Sequence, residues 1–410
     1  MDTSKPGQRG AFEIPEGVAT DEGQLNPYPW YEEMRETAPV RFDEERHVWD
    51  VFRYDDVERV ISDYSGFSSE SGATNTIDML LNANEKTETT DTLASVDPPT
   101  HTEFRGIVDN VFRPGYLKRY QEKFEGLAEG FVEEAVTGED EIDFVDDVAW
   151  HFPVTVIAEI LGVPPEDREQ FKTWSDELVA APDERTPEAK QRAHEKRVEV
   201  HKEMTDYFAD IVAKRREDPR DDLITTIIQD GDDILTAQEI YNFGVFLLLA
   251  GNVTTRHILT NAIWTFIEQD IVGDLQDGSI PMDSAIEEVL RYRTSVHVIR
   301  RQTSEDVELQ GKTIPEGDFV VAHLGAANRD PRQFDDADTF DPTRQPNKHL
   351  AFGRGPHTCL GAPVARLEAE IMLSAFLNKV DTVHIATDEF EPFYGSNVYG
   401  LESLPLSIST

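Results

Sequence analysis

The chain holds one cysteine, and its setting constrains the fold more than any other feature. Cys359 stands in Phe352-Gly-Arg-Gly-Pro-His-Thr-Cys359-Leu-Gly361, just ahead of a long apolar-striped segment. A single cysteine excludes an intrachain disulfide and any zinc or iron–sulfur site built on several thiolates. Gly353 and Gly355 open backbone angles closed to other residues, so the loop can turn tightly and approach something flat. Cys359 then falls at the N-terminus of a helix running to about Lys379, where the helix dipole and free N–H groups favour a thiolate. A lone thiolate so placed is a nucleophile or a metal ligand. Taken alone, it reads better as a buried structural thiol, since buried free cysteines are common. A dinucleotide loop at Gly353-x-Gly355 is a poor fit, because the third glycine and the acidic residue after a following strand are missing.

Charge narrows the partners. Among 410 residues, 38 are Lys or Arg and 81 are Asp or Glu, a formal net charge of −43. That excludes the basic stripe of a nucleic-acid surface and electrostatic binding to anionic membranes. The acids are spread along the whole chain, and lysine is scarce. Such a surface repels itself in dilute buffer and is screened in strong salt, which points to a salt-loaded, halophilic cytoplasm. The melting midpoint is therefore expected to rise through a KCl series; a flat or falling midpoint contradicts this reading. The longest strongly apolar run, about Phe243 to Gly251, is too short for a bilayer, and MDTSKPGQRG has no apolar core behind its charges. The expectation is a cytoplasmic protein with no membrane anchor and no nucleic-acid partner.

The pattern along the chain predicts a mainly α fold with a minor β part, in one domain spanning 1–410, with 1–25 an irregular N-terminal extension. A helix opens at Pro27, and two short strands and a helix follow between Val40 and Val60. Residues 66–100 read as a long binding loop around the apolar patch Ile77–Leu81. From 101 to 270 the pattern is helical, with breaks at Pro114–Gly115, Pro164–Pro165, Pro182 and Pro219. Asp283–Tyr292 is another helix. Strands are expected at Asp306–Leu309, Thr313–Ile314 and Phe319–His323.

Distant segments then fall into a known order. Phe352, Gly355, Cys359 and Gly361 complete the Phe-x-x-Gly-x-x-x-Cys-x-Gly signature of the cytochrome P450 superfamily, the heme-thiolate monooxygenases. Glu288-Val-Leu-Arg291 resembles that family's Glu-x-x-Arg helix, and Phe340-Asp-Pro342-Thr-Arg344 the segment whose arginine completes a Glu–Arg–Arg cluster. Asp97-Pro-Pro-Thr-His101-Thr-Glu-Phe-Arg105, Ala327-Asn-Arg-Asp-Pro331 and His349-Leu-Ala-Phe-Gly353 are similar to segments of its soluble bacterial and archaeal branch. The resemblance covers the chain from about Asn26 to the C-terminus.

It implies a fold in which heme b lies between a long central helix and the cysteine loop, with Cys359 as the iron's axial ligand. N–H groups near Leu360 and Gly361 would bond the sulfur, and Phe352 would shield it from water. His101 and Arg105 (i, i+4), His357 and Arg301 would hold the propionates, with the neighbouring Arg300 leaving the register open. Glu288, Arg291 and Arg344 would lock the heme-side core structurally.

On the oxygen side, the family's Ala-Gly-x-(Asp/Glu)-Thr is matched by Ala250, Gly251 and Thr254, the catalytic candidates, but Val253 stands at the acid position. Gly251 in mid-helix costs about 1 kcal/mol relative to alanine, and a groove for dioxygen would explain it. Thr254 can return its hydroxyl to the Ala250 carbonyl. Because valine relays no proton, Thr254 works alone or with water or Asn252. Substrate candidates are Ile77, Met79, Leu80, Phe246, Leu247, Val296, His297, Val298 and Val398, each equally an ordinary core residue.

The implied reaction inserts one oxygen atom from dioxygen into a hydrophobic small molecule. Its electrons would come from a separate donor, a ferredoxin or flavodoxin-type protein with its reductase. A peroxide-driven peroxygenase and a non-enzymatic heme-thiolate sensor or carrier are the alternatives. The pair His194 and His201 lacks a metal-binding spacing and reads as a solvated face.

Overall fold

The computed structural model describes residues 7, 10–70, 92–179, 186–393 and 397–410. Its longer helices, in chain order, are α1 (Tyr28–Thr37), α2 (Tyr54–Ser62), α3 (Thr100–Val108), α4 (Gln121–Val136), α5 (His151–Leu161), α6 (Arg168–Val179), α7 (Pro187–Glu217), α8 (Leu223–Gly231), α9 (Ala237–Glu268), α10 (Met282–Tyr292) and α11 (Ala362–Lys379). The strands are β1 (Val40–Asp43), β2 (Val48–Val51), β3 (Phe67–Ser68), β4 (Glu141–Asp143), β5 (Val298–Thr303), β6 (Val307–Leu309), β7 (Lys312–Ile314), β8 (Phe319–His323), β9 (Thr382–Ile385) and β10 (Pro405–Ser409).

The 32 residues of α9 make it about 48 Å long at 1.5 Å per residue. A capping box starts it: the Thr236 hydroxyl accepts from the Glu239 N–H, and the Glu239 carboxylate accepts from the Thr236 N–H. Apolar residues on every face, among them Phe243, Val245, Leu248 and Leu249, can be buried only if other helices surround it, and α5, α7 and α11 pack against it. The main core joins these helices to α4. A second apolar cluster lies between the sheet and α2. The proline breaks act as expected: Gly162 ends α5 in the left-handed region (φ 79°) just ahead of Pro164, and Pro219 separates α7 from α8. Pro182 lies outside the described residues.

Five strands form one sheet in the order β1-β2-β8-β5-β3. Only β2 and β8 run parallel. Every residue of β8 is buried, as its unbroken Phe-Val-Val-Ala-His run requires. Two expectations need correction. Strand β5 is paired on both edges, by β8 and β3, yet Val-Ile-Arg-Arg-Gln-Thr does not read as a strand, because its two arginines are buried through partners supplied by other segments. The extension before residue 26 is also more ordered than its composition suggests. It forms short turns at Gly10–Phe12 and Glu16–Val18 and a helix at Asp21–Leu25, with Ala11 and Val18 buried. Tight docking explains it, since a Cβ on Gly10 would lie 1.8 Å from the Arg46 carbonyl oxygen. Among the described residues, no helix is long and apolar enough to cross a membrane.

Candidate active site at Cys359

The cysteine loop is built on two left-handed glycines, Gly353 (φ 69°) and Gly355 (φ 75°). Gly355 is doubly required, because a Cβ there would stand 2.9 Å from the Ser62 Cα at the end of α2. The Cys359 N–H closes the loop on the Phe352 carbonyl at 2.8 Å. Cys359 is an exposed residue, yet protein packs closely around its sulfur. That enclosure raises the thiol's pKa above its ordinary value, opposed by the N–H groups of Gly361 and Ala362 and by the charges of Arg105 and Arg366. The donors are thus Gly361 and Ala362, one residue later than the sequence suggests, because α11 begins only at Ala362. Arg366 stacks over Phe352 at 4.5 Å and pairs with Glu287, which also meets His349 at 3.1 Å. This clamp escapes sequence reading, since its three members lie far apart in the chain.

Four basic side chains gather from three segments. His101 and Arg105 come from α3, His357 from the loop and Arg301 from β5. The His101 and His357 rings are 4.3 Å apart. Burial first, then the charges of His357 and Arg105, push His101 down to about 4. Arg105 donates to the Pro356 carbonyl (3.0 Å) and the Thr358 carbonyl (2.5 Å). The structure also settles the register of the paired arginines. Strand alternation turns Arg301 toward Asp97 and His101, and Arg300 to the opposite side, where it donates to the Ala11 carbonyl and lies over Phe12. Burial pushes Arg301 down to about 10, and its hydrogen bond among the described residues goes to the Arg300 carbonyl. Asp97 is the acid of the group; His357, Ser68 and Ser69 hold its carboxyl below the ordinary value against burial. Two guanidiniums, Arg301 buried and Arg105 half-buried, against the carboxylate of Asp97 and near the Cys359 sulfur, fit a thiolate-ligated heme b with its two propionates.

Beneath them, Glu288 and Arg291 are fully buried and bidentate, at 2.6 and 2.8 Å. Arg344, Asn347 and the Asp341 N–H fill the remaining Glu288 lone pairs at 2.9–3.1 Å. Arg291 also donates to the carbonyls of Asn328, Ala337 and Thr339.

On α9, the Thr254 hydroxyl donates to the Ala250 carbonyl at 2.8 Å, as its spacing suggests. Its neighbours behave differently. A Cβ on Gly251 would meet the Ile157 side chain of α5 at 2.8 Å, so helix packing explains this glycine without a groove. The Asn252 amide donates to the Ser175 hydroxyl on α6, away from Thr254, because residues two apart on a helix point in nearly opposite directions.

The substrate candidates scatter. Phe246 and Leu247 are buried, with Phe246 stacked 6.0 Å from Phe243. Val296 and Val398 form a β-bridge. His297 does not face solvent: it is buried, lies flat on Tyr399 at 4.3 Å, and shares a cavity wall with Val298 and Val398. Ile77, Met79 and Leu80 lie outside the described residues. His201 is half-buried rather than on a solvated face, and no group of three or more His, Cys, Asp or Glu among the described residues could hold a metal ion.

Known proteins match this arrangement. A family model described as Cytochrome P450 matches residues 280–408. "Cytochrome P450 109" of Bacillus spizizenii is 36% identical over 98% of this chain and 97% of its own. "Cytochrome P450(BM-1)" of Priestia megaterium is 36% identical over 97% of each chain. The crystal structure of CYP109E1 from Bacillus megaterium in complex with testosterone superposes with a TM-score of 0.84 at 38% identity, covering 95% of this chain and 100% of that one.

Proposed function

Because the chain belongs to the cytochrome P450 family of heme monooxygenases, we propose that it inserts one oxygen atom from dioxygen into an uncharged, apolar substrate of steroid or terpenoid size. A separate iron–sulfur or flavin protein supplies the electrons. The observation that carries the reading is the Cys359 sulfur, held by the Gly361 and Ala362 N–H groups, with the basic His101–Arg105–Arg301–His357 set gathered near it. When bound, heme b would supply the chemistry of dioxygen activation, which a thiolate ligand favours by donating electron density.

The chain's own residues do the rest. Cys359 would hold the iron, and the Gly361 and Ala362 N–H groups would hold the sulfur's charge. His101, Arg105, Arg301 and His357 anchor the two carboxylates. Phe352, pinned by Arg366, keeps water from the ligand side. Thr254 stands ready to pass a proton through its Oγ, now parked on the Ala250 carbonyl.

The substrate class is supported by the relative that holds testosterone. Addition of testosterone or corticosterone to the ferric protein is expected to shift the Soret band to the blue, and a surrogate ferredoxin and reductase should then give a product heavier by one oxygen atom. The absence of both with a panel of steroids and terpenoids overturns the substrate class.

Val253 favours a second mode. With valine at the relay position and Asn252 turned to Ser175, the proton supply is thin. Reductant consumption should therefore outrun product, and hydrogen peroxide should support turnover without a reductase. Val253→Glu is expected to raise product formed per reductant consumed severalfold, within the 10²–10⁴-fold reach of a placed general acid. An unchanged ratio counts against a missing relay.

A further inference from the structure

Asp97 sits among the basic groups near Cys359, and its contacts reach two other parts of the chain. Its Oδ2 accepts from the Ser68 hydroxyl at 2.6 Å and from the Ser69 N–H at 3.2 Å, at the end of β3. Its Oδ1 faces His357 Nε2 of the cysteine loop at 3.3 Å, and the Ser69 hydroxyl lies 3.3 Å from the same nitrogen. A carboxylate only accepts, so Nε2 carries a proton and donates it to Asp97.

Asp97 is itself fixed in place. It is 7% exposed. Its N–H donates to Glu70 Oε1 at 3.4 Å, and its carbonyl accepts from the His101 N–H at 3.0 Å at the start of α3. The same segment grips the loop a second time. Arg105 donates to the carbonyls of Pro356 and Thr358, the residues on either side of His357. Asp97 therefore holds the His357 side chain, and Arg105 the main chain that flanks it.

An acid in this place needs a reason. Its charge opposes the two propionates that the neighbouring His101, Arg105, Arg301 and His357 would hold. Orientation of the imidazole supplies the reason. A ring that is free to turn must be ordered each time it makes a contact, and a carboxylate on its far nitrogen removes that cost in advance. We propose that Asp97 is a positioning residue of the heme seat: anchored to Ser68 and Ser69, it accepts from His357 Nε2 and so fixes the imidazole and the loop that carries Cys359. This assignment rests on the heme reading above and acts through His357.

The readout is the rate at which heme leaves the loaded ferric protein for an excess of apomyoglobin. Asp97→Ala is expected to release heme about tenfold faster than wild type. Asp97→Asn, which keeps an acceptor oxygen and loses the charge, should stay within about twofold of wild type. In a His357→Ala background, Asp97→Ala should add less than about twofold, because two residues in one contact are not additive. A simple staple between β3 and α3 would instead speed release equally in both backgrounds. The resonance Raman band of propionate bending should shift in Asp97→Ala and His357→Ala alike.

Release from Asp97→Ala at the wild-type rate overturns the assignment. So does an undiminished effect in the His357→Ala background, a rate for Asp97→Asn equal to that of Asp97→Ala, or an unmoved propionate band in Asp97→Ala. If Asp97→Ala does not fold, Asp97→Glu decides. It keeps the charge and displaces the carboxylate by one methylene, so faster release supports the assignment and release at the wild-type rate overturns it. A wild-type protein that takes up no heme overturns the heme reading itself, and this assignment with it. Unchanged release from heme-loaded variants overturns the assignment alone.

Discussion

Replacing Cys359 with serine is expected to abolish the strongly red-shifted Soret band of the reduced, carbon monoxide-bound protein and to take dioxygen-dependent turnover to background. Serine keeps the loop, since the Cys359 N–H bond to Phe352 is a backbone contact and both glycines remain. It cannot keep the ligand, because an alcohol is far less acidic than a thiol and donates less density to iron. Heme should still bind in part through the His101–Arg105–Arg301–His357 set, so the variant's heme content separates loss of ligation from loss of the pocket. A variant with an unchanged spectrum would show that Cys359 does not ligate the iron, and the monooxygenase reading would fall with it.

The largest expected effect on stability comes from Glu288→Ala. Glu288 and Arg291 are wholly buried, and Arg344, Asn347 and the Asp341 N–H all converge on the one carboxylate. Removing it leaves two guanidiniums uncompensated, one of them at zero exposure. Breaking a buried pair in this way costs about 3–5 kcal/mol. A sharp fall in the melting midpoint and a poor yield of heme-loaded protein should follow. Glu288→Gln, which keeps the acceptor oxygen and loses the charge, should fall between the two. A midpoint within a degree or two of wild type for the alanine variant would mean that this network does not carry the heme-side core.

The parts of the site that read from the sequence are those whose partners lie close by in the chain. The loop from Phe352 to Gly361, the helix behind it, the Glu288–Arg291 pair and the Thr254 hydroxyl on Ala250 all rest on spacings of a few residues. What escaped depends on contacts across the fold. Strand β5 is hidden because its arginines find their surroundings in segments nearly 200 or more residues earlier: the Ala11 carbonyl and Phe12 for one, Asp97 and His101 for the other. Gly251 invites a functional reading until Ile157 from α5 occupies the space its side chain would need. The Glu287–Arg366–His349 clamp joins residues 62 to 79 positions apart. The N-terminal segment looks irregular because its order comes from the surface it lies on rather than from its own propensities.

The alternation of Arg300 and Arg301 along β5 carries a consequence for editing the gene. The two side chains differ only in which way the pleat turns them, so a slip of one residue exchanges them. Gaining a single codon between Tyr292 and Arg300 would move Arg300 into the place of Arg301, and losing one would move Arg301 into the place of Arg300 beside Phe12, with composition and charge almost untouched. The length of that short connector is therefore as much a part of the proposed cofactor seat as the arginine itself. Family libraries and chimeras that recombine this chain with its relatives should place crossovers in the exposed turn at Gln310–Gly311, where a shift of frame stays local to a two-stranded ribbon.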